Sequence, residues 1–141
     1  MVPSVTRGNV FTKMKRILLV DDESDVCFVL EKVLGENGFV VDSYKNPTLA
    51  LEKFKARSYD LVVLDIKMPE LNGFTLYREI KRLDKKLKVC FLTAAEMYYN
   101  EYPDIFSSLP NKYFIRKPIE NEELMARINE IIGDDTNSYH T

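Results

Sequence analysis

Three uninterrupted apolar runs, "ILLV" (17–20), "LVVL" (61–64) and "VCFL" (89–92), constrain the fold more than any other feature of the chain. A strand with one wet face alternates apolar and polar side chains, whereas a run without alternation is a strand covered on both faces. The strands are expected at 16–22, 59–65 and 87–93, with two further ones at 39–44 ("FVVDSY") and 112–118 ("KYFIRKP"). The intervening segments carry helical spacing. Residues 24–36 place Val26, Val29, Leu30, Val33 and Leu34 inward, and 74–83 places Leu76, Tyr77, Ile80 and Leu83 on one side. Residues 46–56 open with Asn46 as N-cap and Pro47 at the first helical position. Residues 121–132 read as a last helix capped by Asn121, with Leu124, Ile128 and Ile131 inward and Gly133 just past its end. Alternating strands and helices predict an α/β fold: right-handed crossovers and a parallel sheet with helices on both faces.

The length of 141 residues suits one such domain, read as 15–133, with 1–14 as a flexible extension and 134–141 as a flexible tail. The eight residues after Gly133 leave no room for an output domain, so the expectation is a stand-alone module. A net charge of −2 with dispersed Lys and Arg argues against nucleic acid as a primary partner. No apolar run approaches the roughly 20 residues of a membrane span, and the N-terminus lacks the apolar stretch of a signal peptide. Cys27 and Cys90 have no metal-binding spacing and read as reduced core thiols of a cytoplasmic protein. His140, beside the C-terminus, is assigned no role.

In open parallel sheets, chemistry gathers beyond the carboxyl ends of the strands. Strand one ends in Asp21-Asp22, strand three in Asp65, strand four in Thr93 and strand five in Lys117-Pro118. Three carboxylates at one edge repel one another unless a cation joins them. Mg²⁺ is the hard-oxygen cation that suits such a set. A metal beside an ammonium and a hydroxyl suits phosphoryl chemistry, and a carboxylate can itself be the nucleophile. Asp65, alone at the end of the middle strand, is the best candidate, leaving Asp21 and Asp22 for the metal.

The motifs "ILLVDDE", "DLVVLDIKMPELNG", "VCFLTA" and "YFIRKP", in that order, resemble a two-component response-regulator receiver domain of the chemotaxis-receiver type over residues 15–133. The resemblance implies a flavodoxin-like, doubly wound five-stranded sheet of order 2-1-3-4-5. It implies that Asp65 accepts a phosphoryl group from a histidine kinase or a histidine phosphotransfer protein. Asp22, Asp65 and the backbone carbonyl of Lys67 would bind Mg²⁺ directly, and Asp21 through water. Thr93 and Lys117 would contact the phosphoryl oxygens. Phe114 matches the switch aromatic of the face made by helix four, strand five and helix five, and Lys117-Pro118 matches a cis bond. The output would be binding to a further protein, or relay of the phosphoryl group to a second histidine, as a monomer or a phosphorylation-dependent dimer. Such a module modifies only itself.

Two points depart from the family pattern or compete with it. "AAEMYYNEYPDIFSSLPNK" makes helix four irregular, with Pro103 expected to end or kink it, and its Tyr98 and Tyr99 serve either as core or as a partner surface. The competing function is a Mg²⁺-dependent aspartyl-phosphate phosphatase or phosphotransferase. Such enzymes usually carry Asp-x-Asp where this chain has Asp65-Ile66-Lys67, and the chain has no spare segment for a cap.

Overall fold

The computed structural model describes residues 14–94 and 103–133. Five strands, β1 (Arg16–Val20), β2 (Val40–Tyr44), β3 (Leu61–Asp65), β4 (Lys88–Thr93) and β5 (Phe114–Arg116), form one sheet in the order β2-β1-β3-β4-β5. Every neighbouring pair is parallel, with Leu18 opposite Val62, Val62 opposite Val89 and Leu92 opposite Ile115. The helices are α1 (Ser24–Glu36), α2 (Pro47–Lys53), α3 (Gly73–Leu83), α4 (Pro103–Ser108) and α5 (Asn121–Gly133). The expected order of the doubly wound sheet is the one observed. Among the described residues no helix is long and apolar enough to cross a membrane.

Because successive strand residues point to opposite faces, the apolar runs divide into two cores. Ile17, Leu19, Val63, Cys90 and Leu92 pack with Leu30 and Leu34 of α1 and with Leu124, Ile128 and Ile131 of α5. Leu18, Val20, Val62, Leu64 and Phe91 pack with Ala50 of α2 and with Phe74, Leu76 and Ile80 of α3. Each fully buried aliphatic contributes about 1.5–3 kcal/mol, so a sheet covered on both sides is the arrangement these runs favour. Both cysteines are buried and free.

Local chemistry sets the helix starts. Asn46 accepts hydrogen bonds from the backbone N–H groups of Thr48 and Leu49, and Pro47 stands in the first turn, as expected. Asn72 caps α3 by accepting from the Thr75 N–H. Several expectations need correction. In α1 the inward residues are Cys27, Leu30, Val33 and Leu34, while Val29 is 47% exposed. The unbroken "VCFVL" allowed more than one helical face. In α3, Leu83 faces solvent. Helix α2 ends at Lys53, because Phe54 turns extended and its ring stacks on Tyr59.

Strand β5 has only three residues, since Asn111–Tyr113 form a 3₁₀ turn that buries Tyr113. Pro103 is the first residue of α4; the expectation that it ends or kinks a helix before it falls on residues 95–102, outside the described residues. A first-turn N–H has no intrahelical partner, so proline costs nothing there. Helix α5 starts at Asn121 as expected, but the Leu124 N–H donates to the Glu120 carbonyl, so Asn121 is a helical residue and not the cap, and Gly133 is the last residue. The expectations for residues 1–13, for the tyrosines at 98 and 99 and for His140 lie outside the described residues.

Candidate metal and phosphoryl site

The carboxyl ends of β1, β3 and β4 open into a cleft of about 590 Å³, with Asp22, Asp65, Lys67, Thr93 and Lys117 on its walls. Asp21 follows β1 and is fully buried; its N–H donates to the Tyr44 carbonyl at 3.1 Å, which continues the β1–β2 ladder. Asp22, the next residue, lines the cleft. Asp65 is the last residue of β3 and is 5% exposed. Asp21, Asp22 and Asp65 each offer a carboxylate oxygen, and these oxygens all lie within 4.8 Å of one another.

The loop after β3 folds back tightly on Asp65. The Gly73 N–H donates to the Ile66 carbonyl at 2.8 Å, and a Cβ on Gly73 would stand 2.3 Å from the Asp65 carbonyl oxygen. Only glycine admits this approach. Thr93 and Lys117 are placed together because the Lys117 N–H donates to the Thr93 carbonyl at 2.8 Å, one step beyond β5. The Lys117-Pro118 peptide is cis, as the resemblance implied. Lys67 stands exposed at the rim. Phe114 is half-buried, its ring stacked on Phe91 at 5.4 Å between centroids.

Lys117 supplies positive charge to this cluster. Its Nζ lies 2.9 Å from Asp21 Oδ2, 3.0 Å from Glu23 Oε1 and 3.6 Å from Asp65 Oδ1. Asp21 Oδ1 accepts from the Glu23 N–H at 2.9 Å, but Asp21 Oδ2 has no aligned hydrogen-bond donor despite the nearby ammonium. Burial alone would push Lys117 toward its neutral form; the contacts with Asp21 and Glu23 outweigh it and hold the ammonium charged. Asp65 is pushed up to about 7, first by burial and then by the charge of Asp21, with Lys117 offsetting only part. Three acids around one shared lysine therefore leave surplus negative charge among hard oxygen donors. One buried oxygen in the set has no aligned donor. This donor set fits Mg²⁺, which takes carboxylate and carbonyl oxygens and retains waters.

The structure brings together Asp21, Asp22, Asp65, Thr93 and Lys117, as the strand ends predicted, with Lys67 at the rim and Phe114 on the neighbouring strand. Glu23 joins the site without having been expected there. The only sequence signal was a third acid after Asp21-Asp22.

The profile of the family described as "Response regulator receiver domain" matches residues 17–129. The chain is 35% identical over 119 residues to the chemotaxis protein CheY of Bacillus subtilis, covering 84% of this chain and 98% of that protein. It is 31% identical to the transcriptional regulatory protein DltR of Streptococcus agalactiae, covering 80% of this chain but only 50% of DltR. The chain thus spans nearly all of the first relative and about half of the second. Among solved structures it is similar to the response regulator TrrA of Thermotoga maritima in complex with Mg²⁺-BeF, with 34% identity, a TM-score of 0.69, and coverage of 84% and 99% of the two chains. It is also similar to a response regulator receiver domain protein from Clostridium thermocellum, with 28% identity, a TM-score of 0.71, and coverage of 84% and 94%. The acidic cleft and the parallel sheet that builds it are accounted for together: the chain belongs to the response-regulator receiver-domain family, the phospho-accepting, Mg²⁺-dependent modules of two-component phosphorelays, which modify only themselves.

Proposed function

We propose that Asp65 is the phospho-acceptor of this receiver. The observation that carries the assignment is its place: a buried carboxylate at the end of central β3, in one cleft with Thr93 and 3.6 Å from Lys117. Asp22, Asp65 and the Lys67 carbonyl are the groups that would hold Mg²⁺ directly, with Asp21 acting through water. When bound, the ion supplies positive charge for the phosphoryl oxygens and keeps Asp65 ionised. An Asp65 carboxylate oxygen attacks phosphorus, and the donor nitrogen of a phosphohistidine leaves with the bonding pair. Lys117 and the Thr93 hydroxyl meet the charge gathered on the equatorial oxygens. Phe114 is the aromatic whose packing on Phe91 the phosphorylated state would alter, changing the face of α4, β5 and α5.

The donor in this reading is a histidine kinase or a histidine phosphotransfer protein in the cytoplasm, and the output is protein binding. The folded module spans 15–133, with 1–14 and 134–141 as its extensions. The transcriptional role in the name of the longer relative belongs to that relative. Incubation with acetyl phosphate and Mg²⁺, followed by intact-mass measurement, tests the assignment. The wild-type chain gains one phosphoryl group and Asp65→Asn gains none; an equal gain in the variant would overturn it.

A further inference from the structure

Glu23 stands where α1 needs a cap and does not serve as one. It is the N-cap residue, its backbone carbonyl accepts from the Cys27 N–H at 3.1 Å, yet its side chain makes no capping hydrogen bond. Glu is also a poor residue for that position, where Ser, Thr, Asp or Asn is preferred. The side chain is engaged elsewhere. It reaches across the rim to Lys117, ninety-four residues away, at 3.0 Å. Lys117 therefore sits nearer to Glu23 and Asp21 than to Asp65, which lies 3.6 Å off. The two near partners are not alike. Asp21 is fully buried and held by the Glu23 N–H, whereas the Glu23 side chain is 61% exposed and can swing into water at little cost.

We propose that Glu23 is a positioning residue: an anionic latch that draws Lys117 away from Asp65 in the resting state and competes with the incoming phosphoryl group for its ammonium. This rests on Asp65 and Lys117 acting as read above. As the phosphoryl group arrives, Lys117 exchanges its contact with Glu23 for one with a phosphoryl oxygen, and the freed carboxylate is rehydrated. No bond or proton changes hands in that exchange. Glu23 slows phosphorylation by stabilising the resting position of the lysine.

Two substitutions separate this latch from simple repulsion of an anionic donor. Glu23→Gln removes the charge. Glu23→Asp keeps a negative charge at the same residue but withdraws it from Lys117, and places a good cap on α1 so that the fold is preserved. The full chain is incubated with acetyl phosphate at saturating Mg²⁺, and the phosphorylated fraction is followed by intact mass. Both variants are expected to phosphorylate faster than wild type, by about two- to fivefold, the scale of an exposed ion pair. Unchanged rates overturn the latch. So does acceleration by Gln alone, because repulsion would then explain it. Asp65→Asn is run in parallel. A mass gain that persists in that variant overturns the phospho-acceptor reading itself, a result distinct from equal rates across the Glu23 series in an Asp65-dependent reaction.

Discussion

The two ends of the sheet carry the same residue types and treat them oppositely. Toward the amino ends of the strands, around Arg16 at the start of β1, Asp42 of mid-β2 accepts through Oδ2 from Arg16 at 2.9 Å and from the Tyr59 hydroxyl at 2.8 Å, and Asp60 accepts from the Arg16 N–H at 2.8 Å with Lys15 3.9 Å away. Each acid there has a cation of its own and contact with water. At the carboxyl ends, Asp21, Asp65 and Glu23 share Lys117, and Asp22 joins the same carboxylate cluster; Asp21 and Asp65 are buried. Exposed, paired charges contribute little to stability and perform no chemistry. Buried carboxylates short of counter-charge destabilise the metal-free fold, and a cation that relieves them binds with that free energy in its favour. Residue type is thus a weak guide to which acids are functional; burial and the ratio of acids to cations distinguish them.

The sharpest break between the two ends is expected on neutralising Asp65. Its carboxyl is pushed from 3.8 up to about 7 in the fold, so between those values the folded chain holds a proton that the unfolded chain releases. Metal-free stability therefore falls as pH rises from about 4 to about 7 and levels off above, by about 4 kcal/mol at the limit. Asp65→Asn removes this slope and is more stable than wild type at pH 8 by a comparable amount. Urea unfolding in chelator at pH 5 and pH 8 measures both effects. Equal wild-type stability at the two pH values would show that Asp65 is not strained in this way.

The next effect tests how tightly the functional end is built. Gly73→Ala would set a methyl group 2.3 Å from the Asp65 carbonyl oxygen and 2.9 Å from the Ile66 Cα, and neither is a side chain that can rotate aside. A loss of about 3 kcal/mol is expected, together with slower phosphorylation as the end of β3 shifts. Gly35, within α1, has nothing within 4 Å of its would-be Cβ, so Gly35→Ala should stabilise by up to about 1 kcal/mol. If thermal unfolding ranks the two glycines alike, the close approach at Gly73 is not what fixes Asp65.

These contrasts also mark what the sequence could disclose. The unbroken runs at 17–20, 61–64 and 89–92 announced strands buried on both faces, and the residues ending them announced the site, because a strand end is a local property. The face of α1 was not legible, since "VCFVL" is apolar throughout and only packing against β1 and α5 selects Cys27 and Leu30 over Val29. Strand β5 looked longer than it is because Lys112 and Tyr113 suit a strand by composition while forming a 3₁₀ turn. Gly73 was recognisable only as part of a motif; its reason, the Asp65 carbonyl, appears with the fold. Glu23 was unreadable for a similar cause. Its partner is ninety-four residues away, and nothing near it in the chain says whether it caps a helix or crosses a cleft.

The smallest effect, and the one of opposite sign, lies at the amino end. Asp42→Asn keeps the shape of the side chain and removes the charge that pairs with Arg16, so it should cost stability where Asp65→Asn gains it. Both partners are more than a third exposed, at 38% and 37%, so the loss is held to about 0.5–1 kcal/mol. Salt separates the two ends further. Screening weakens the attraction of the exposed Arg16–Asp42 pair, so the cost of Asp42→Asn should shrink between 0.05 M and 0.5 M NaCl, over which the Debye length falls from about 14 Å to about 4 Å. Buried charges are screened far less, so the gain from Asp65→Asn should persist across the same range. Urea unfolding of both variants at the two salt concentrations gives the comparison. A gain at Asp65 that vanishes with salt would mean that its carboxylate meets solvent as Asp42 does, and the two ends of the sheet would then differ in the number of their charges and not in how those charges are buried.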